Sequence, residues 1–186
     1  VKTMRAGVLV LGPLLAKYGS AKISLPGGCS IGSRPIDLHL NALKKMGAKI
    51  KVKNGYIIAS AKRGLKGCLI KFPKISVGAT QNILIASCLS KGKTKLRNCA
   101  SEPEVQDLIN FLKKLGCKIN WVGKRSIDVI GTEELKSTTH RVIFDRIEAG
   151  TYIIAAALTN GRLKITNIDP KVMSTEINLL HRMGVK

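Results

Sequence analysis

The stretch PGGCSIGSRP, residues 26–35, sets a thiol between glycines and an arginine five residues beyond it. Pro26, Gly27 and Gly28 bend the chain and leave its backbone bare, and Gly32 and Pro35 bend it again. Such a loop holds an anion or holds nothing. Cys29 has two readings to match. Free cysteine is commonly a small buried apolar group; Cys88, inside ILIASCL, fits that description, Cys68 and Cys117 suit strand positions, and Cys99 follows a strand. Cys29 instead follows the strand-like run Ala21–Leu25, in a loop that can bury little. There Arg34 and the backbone N–H groups would favour the thiolate and make a reactive thiol beside an anion.

Five further features carry the residue types for chemistry. Arg34 leads into a helix that Pro35 can start, and its guanidinium suits phosphate or carboxylate. Asp37 is either a partner or cap for that helix start or an acceptor for a substrate donor. His39 reads as a surface helix residue, because no cluster of metal-ligating types accompanies it. In KISVGAT, residues 74–80, Ser76 can cap the helix that follows, and Gly78 permits close approach to the free N–H groups that bind phosphate. In FDRIEAGTY, residues 144–152, Asp145 and Glu148 have capping-box spacing; the cap is preferred over a carboxylate pair for acid–base work. No GxSxG, HExxH or GxxxxGK[ST] occurs, and no GxGxxG precedes a helix.

The elements that must position these groups follow from the composition and its patterning. The chain has 186 residues, 45% hydrophobic but only 4% aromatic, so aliphatic and alanine side chains fill a core. The net charge of +21 asks for an anionic partner or reflects lysine on solvated faces. Its lysines are scattered, with pairs at Lys44–Lys45 and Lys113–Lys114 on polar helix faces and no arginine-rich arm, which favours anionic small molecules over nucleic acid. A basic nucleic-acid-binding α/β module stays as the alternative. Five cysteines without CxxC spacing point to neither a disulfide framework nor a zinc site, and to a reducing cytoplasm. There is no signal-peptide pattern, and the longest apolar runs, 6–16 and 83–89, are too short to span a bilayer. Neither end reads as a natural terminus, so the expectation is a central fragment of a longer protein.

The chain repeats itself. IDLHLNALKKMGAKIKV, VQDLINFLKKLGCKINW and MSTEINLLHRMGVK align on Gly47, Gly116 and Gly184, spaced 69 and 68 residues apart. Their apolar positions coincide: Ile36, Leu40, Leu43, Met46; Val105, Ile109, Leu112, Leu115; Met173, Ile177, Leu180, Met183. Each set is one face of a helix that ends at a glycine suited to the left-handed position. Upstream of each lies a run that is apolar nearly all round, 6–25, 78–98 and 150–168, in which a buried helix reaches Gly19, Gly92 or Gly161 and a short alternating strand follows. Hairpins follow two of the amphipathic helices, one turning at Asn54-Gly55 and the other near Gly123. Further strands at 68–72 and 140–144 lead into the next buried helix. The expected class is α/β with internal pseudo-symmetry, helices inside and half-exposed strands outside.

Taken in order, TMRAG, LPGGCSIGSRPIDLHL, GYIIAS, KISVGATQNILIASCL, EPEVQDLINFLKKLG and DRIEAGTYIIAAAL resemble the UDP-N-acetylglucosamine 1-carboxyvinyltransferase family of enolpyruvyl transferases from end to end of the chain. The sister enzyme that makes 5-enolpyruvylshikimate 3-phosphate shares that fold without the cysteine loop. The resemblance implies an inside-out α/β barrel built from βαβαββ repeats, here an incomplete two-domain fold. Residues 1–140 would be the larger part of the domain with the catalytic loop, and 141–186 the interdomain crossing and the first portion of the second domain. It implies transfer of enolpyruvyl from phosphoenolpyruvate to the 3-hydroxyl of the sugar nucleotide in peptidoglycan synthesis, with no cofactor. Cys29 would be the general acid and the site of fosfomycin attack, Arg34 would hold phosphate charge, and Arg5 would lie near the substrate anions. Arg34, Pro35, Ile36, Asp37 and Leu38 match the family's uridine-binding run, and Lys74, Ile75, Ser76 and Val77 its second nucleotide-binding run. The family's early lysine, general-base aspartate and late arginine fall outside the chain. Its missing segments are therefore expected partners, and the chain alone is expected to be inactive or nearly so.

Overall fold

The computed structural model describes residues 4–27 and 35–185, and in Arg5 the backbone alone. The expectations for Cys29 and Arg34 thus lie outside the described residues. The chain divides into two compact units, Val1–His140 and Arg141–Lys186.

In the first unit a 3-10 segment, Arg5–Val10, runs into helix α1, Leu11–Tyr18. Pro13 explains the break between them. It has no N–H to give the preceding turn and is tolerated only in the first turn of an α-helix, so the apolar run at 6–16 is two elements rather than one helix. Strand β1 (Ser20–Ser24), helix α2 (Asp37–Lys45) and the hairpin β2 (Lys49–Lys53) and β3 (Tyr56–Ser60) follow. Next come β4 (Leu69–Lys71), α3 (Val77–Cys88), β5 (Lys93–Arg97), α4 (Pro103–Lys114), β6 (Lys118–Gly123) and β7 (Ser126–Ile130), one complete βαβαββ unit. The first sheet has the order β1-β3-β2, all antiparallel. The second has the order β4-β5-β7-β6, with β4 and β5 parallel and the rest antiparallel. Both sheets are open, and no closed barrel forms among the described residues.

The layering follows from hydrophobic pattern. Helix α3 buries eight of its twelve residues, as a helix that is apolar nearly all round must. The strands alternate: Thr94 and Leu96 of β5 point into the core while Lys93 and Lys95 face out, and Lys49, Lys51 and Lys53 of β2 are exposed. Much of the positive charge therefore covers outer sheet faces. Asp128 of β7 neutralises part of it, bonded to Lys93 at 2.7 Å and Arg97 at 2.9 Å; these contacts, Lys93 first, hold its carboxyl below the usual range.

The glycines of the repeat sit where the pattern requires. Gly47, Gly116 and Gly184 all have φ between 90° and 99°. At each, the following residue's N–H returns to a carbonyl in the last helical turn: Ala48 to Leu43, Cys117 to Leu112 and Val185 to Leu180. Asn54 and Gly55 both have positive φ, as a type I′ turn demands.

The second unit holds α5 (Arg146–Leu158), a 3-10 turn (Pro170–Met173) and α6 (Ser174–Arg182). Asp145 caps α5 by accepting from Ile147 and Glu148, and Arg146 meets Glu176 of α6 at 3.5 Å. The left-handed residue after α5 is Asn160, φ 51°; asparagine tolerates that region because its short side chain can bond locally. Two expectations fail in this unit. Residues 140–144 and 162–168 are not strands. In the preceding repeat their counterparts, β4 and β5, form a parallel pair that the β6–β7 hairpin extends. No strand occurs among the described residues of this unit, and a lone two-stranded pair is marginal in water. Helix α5, expected to be buried, leaves Ile147, Tyr152, Ile154 and Leu158 exposed and buries only Ala149.

A tight contact in the first unit gives a direct stability test. A methyl on Gly12 would collide with the Asn82 side-chain oxygen and stand 2.7 Å from the Asn82 carbonyl oxygen, on backbone that cannot yield cheaply. Gly12→Ala is expected to lower the unfolding free energy by about 1–3 kcal/mol in urea titration, despite alanine's better helix propensity. An unchanged or higher midpoint would contradict this packing.

Candidate functional site

Two of the loops singled out by sequence open onto one cleft of about 520 Å³. Pro35 and Leu38 line it from the start of α2, and Lys74, Ile75 and Ser76 from the start of α3. Ala6, Val8 and Leu9 of the 3-10 segment close another side, with His39 and Gly78 between. Ile36, Asp37 and Val77, named with these runs, are not among the lining residues. Ile36 and Val77 pack partly buried against the core, and Asp37 is exposed as the first residue of α2. Arg5 belongs to the same 3-10 segment as Ala6, Val8 and Leu9.

The local sequence accounts for this convergence. Ser76 is the N-cap of α3, with extended backbone and its hydroxyl accepting from Ala79 N–H at 3.2 Å. That satisfies one amide of the first turn, while the N–H groups of Val77 and Gly78 have no helical carbonyl four residues back to donate to. Asp37 adds its charge to the first turn of α2, where no side chain caps the backbone. The starts of two helices and Lys74 thus border one cleft, which Pro35, Leu38 and Ile75 also line. Aligned peptide dipoles and unpaired N–H groups favour an anion at such a place, and the flat apolar surfaces of Pro35, Leu38 and Ile75 suit an attached ring. Asp37 and Ser76 act in helix starts as the sequence allowed; Asp37, however, sits inside the helix and the N-cap position is Ile36.

His39 departs from its sequence reading. It is 7% exposed, not a surface residue. The buried face of α2 runs through Leu38, His39, Ala42, Leu43 and Met46, one position round from the face first drawn through Ile36 and Leu40. Its Nδ1 lies 3.0 Å from Nδ2 of Asn82, which is fully buried in α3. Sequence reasoning passed over Asn82; an amide in the middle of an apolar helix was the available signal.

Three of the four described thiols are held above the usual range; the fourth, Cys117, is lowered by its hydrogen bond with Cys88 but is buried. Burial pushes Cys99 up to about 11, against the lowering influence of Arg97 and a backbone hydrogen bond. Cys88 is driven above the usual thiol range by its hydrogen bond with Cys117 and by burial. Burial raises Cys68 as well, opposed by Lys45. Among the described residues no group of three His, Cys, Asp or Glu is placed to hold a metal ion, and no helix is long and apolar enough to cross a membrane.

The family model for EPSP synthase (3-phosphoshikimate 1-carboxyvinyltransferase) matches residues 1–186. The chain belongs to the EPSP synthase family. Within it, the chain is 63% identical over all its residues to the UDP-N-acetylglucosamine 1-carboxyvinyltransferase of Pelagibacter ubique, covering 45% of that relative. It is 49% identical to the protein of the same name from Acinetobacter baylyi, covering 44% of it. The chain thus spans less than half the length of the curated relatives it matches. Among solved structures it superposes on the enolpyruvyl transferase NikO from Streptomyces tendae with a TM-score of 0.72 and 23% identity, over 95% of this chain and 43% of that one. An EPSP synthase from Acinetobacter baumannii gives 0.63 and 21%, over 83% and 35%. These structural likenesses establish the enolpyruvyl transferase fold.

The cap that shapes the α3 side of the cleft can be removed singly. Ser76→Ala is expected to cost about 0.5–2 kcal/mol of unfolding free energy by denaturant titration. Ser76→Asp should recover most of that loss, since aspartate caps equally well. Equal stability of wild type and Ser76→Ala would contradict the role given to the hydroxyl.

Proposed function

We propose that this chain carries the nucleotide cleft and the thiol loop of an enzyme that transfers enolpyruvyl from phosphoenolpyruvate to the 3-hydroxyl of UDP-N-acetylglucosamine, a step of peptidoglycan synthesis in the cytoplasm. The observation that carries the reading is a pair of facts together. Relatives with that activity in their names match the whole chain at 49% and 63% identity, and residues from both nucleotide-binding runs line one cleft bordered by two helix N-termini. The wider family also includes the shikimate-pathway enzyme, but the Cys29 loop and the Arg-Pro-Ile-Asp-Leu run at 34–38 favour the sugar nucleotide. The nucleic-acid alternative has only net charge on its side, and exposed strand lysines account for much of that.

In this reading the uridine rests on Pro35 and Leu38, and Ile36 and Asp37 belong to the same run without lining the cleft. The diphosphate faces Lys74 and the first N–H groups of α3 at Ser76, Val77 and Gly78, with Ile75 against the ring or sugar. The 3-hydroxyl oxygen adds to C2 of phosphoenolpyruvate, its proton passing to the general-base aspartate supplied by the rest of the protein, while Cys29 delivers a proton to the C3 methylene. The tetrahedral adduct then expels phosphate and loses a proton from C3 to restore the double bond. A thiol suits the first step because arginine and substrate anion pull its proton affinity in opposite directions towards working pH. Arg34 holds the phosphate charge, and Arg5 stands near the substrate anions. The boundary at His140–Arg141 is read as the interdomain crossing, with 1–140 the larger part of the catalytic-loop domain. Groups supplied by the rest of the protein complete the reaction, so the chain alone is expected to have little or no turnover.

The test is covalent. With the protein expressed at the full length its gene encodes, fosfomycin together with UDP-N-acetylglucosamine is expected to add once, on the peptide containing Cys29, and Cys29→Ser is expected to abolish the adduct. Modification of Cys68, Cys88, Cys99 or Cys117 in its place, or none at all, would overturn the assignment.

A further inference from the structure

We infer that Asn82 is a positioning residue, which holds His39 as a neutral imidazole with its proton on Nε2 and so presents an N–H donor beside the start of α3. This rests on the proposed nucleotide cleft for its purpose but not for its geometry.

The assignment follows from donors and acceptors that allow no choice. The Gly12 backbone N–H, which can only donate, lies 2.9 Å from one terminal atom of the Asn82 side chain. That atom must be the oxygen. The other terminal atom is therefore the NH2 group, and it lies 3.0 Å from the Val8 carbonyl oxygen, which can only accept. Two independent backbone partners thus fix the amide in the same orientation. The second hydrogen of that NH2 group is directed to His39 Nδ1 at 3.0 Å. Nδ1 must meet it with a lone pair, so a neutral ring carries its proton on Nε2. An imidazolium, or the opposite tautomer, would set N–H against N–H inside a pair that is 0% and 7% exposed. The cost of such an unmade bond is high where water cannot substitute.

The other edge of the ring points where a donor is useful. A methyl on Gly78 would stand 3.5 Å from Nε2 and 3.4 Å from Cε1, so Nε2 lies against the first turn of α3. His39 lines the cleft together with Lys74 and Ser76. With Nε2 protonated, the imidazole adds a donor to a rim already made of helix-start N–H groups and an ammonium. With the opposite tautomer it would turn a lone pair towards the same place and oppose an anion. Asn82 touches none of the cleft itself; it acts through the ring.

The chain has three histidines, His39, His140 and His181, so side-chain nitrogen resonances are readily assigned. Long-range proton–nitrogen correlation NMR of the 15N-labelled chain at neutral pH, without nucleotide, is expected to show His39, identified by its loss in His39→Gln, with a pyridine-like Nδ1 and a pyrrole-like Nε2. An imidazolium pattern or a protonated Nδ1 in the wild type would overturn the inference. Asn82→Asp keeps an acceptor for Gly12 and turns a second acceptor to the ring, so it is expected to move the proton to Nδ1. Retention of the wild-type pattern in a folded Asn82→Asp chain would equally overturn it, and should that variant not fold, the wild-type spectrum decides alone. Adding uridine diphosphate is then expected to shift the Nε2 resonance. The tautomer as described without any such shift would tell against the nucleotide cleft and leave the role of Asn82 towards His39 standing.

Discussion

A carboxamide with no access to water holds the N-terminal elements of the first unit in register. Asn82 sits in the middle of the most apolar helix of the chain and bonds to the backbone of Val8, the backbone of Gly12 and the ring of His39. Burying an amide costs several kcal/mol unless its partners are present, and each partner lost leaves about 1–3 kcal/mol of unmet desolvation. The apolar surfaces of α1, α2 and α3 would accept small rotations and slides at little cost. The amide does not, because any slide breaks a bond in a place where no water can replace it. This is how a hydrophobic interior, adequate for collapse, acquires one geometry.

That geometry has consequences at the surface. Fixing the 3-10 segment and α2 against α3 brings the beginnings of two helices to one cleft, and places their unpaired N–H groups beside Lys74. The same amide requires glycine at position 12, where the backbone of α1 comes against α3, and it determines which nitrogen of His39 faces Gly78. Core packing and ligand chemistry are here one arrangement. The second unit lacks such a lock among its described residues: α5 offers four large hydrophobic residues to solvent, and the segments 140–144 and 162–168 stay irregular.

Much of this was legible in the residues, for identifiable reasons. Gly47, Gly116 and Gly184 were readable because a left-handed residue after a helix penalises every side chain, and the Asn54-Gly55 turn because both its residues need positive φ. Ser76 was readable because a hydroxyl before an apolar run has one local use. The residues around the two nucleotide runs came from motif resemblance, and five of them, Pro35, Leu38, Lys74, Ile75 and Ser76, line the cleft. What the pattern could not carry was long-range. Whether His39 faces solvent depends on Asn82, 43 residues away, and a one-position rotation of the apolar face of α2 was enough to misplace it. Pro13 was in plain view, yet the run at 6–16 read as a single helix because hydrophobicity masks a change of helix type. The strands expected at 140–144 and 162–168 failed because a strand exists only through its partners, which a local pattern does not contain.

The cleft at the joint starts of α2 and α3 is where a nucleotide diphosphate must bind. Backbone amide NMR of the 15N-labelled chain, titrated with UDP-N-acetylglucosamine, measures this residue by residue. The largest shifts should cluster at Ile36–His39 and Lys74–Ala79 and saturate together, while the outward faces of β2 and β5 stay unchanged. Shifts spread over those lysine-rich strands, or absent from both helix starts, would contradict it.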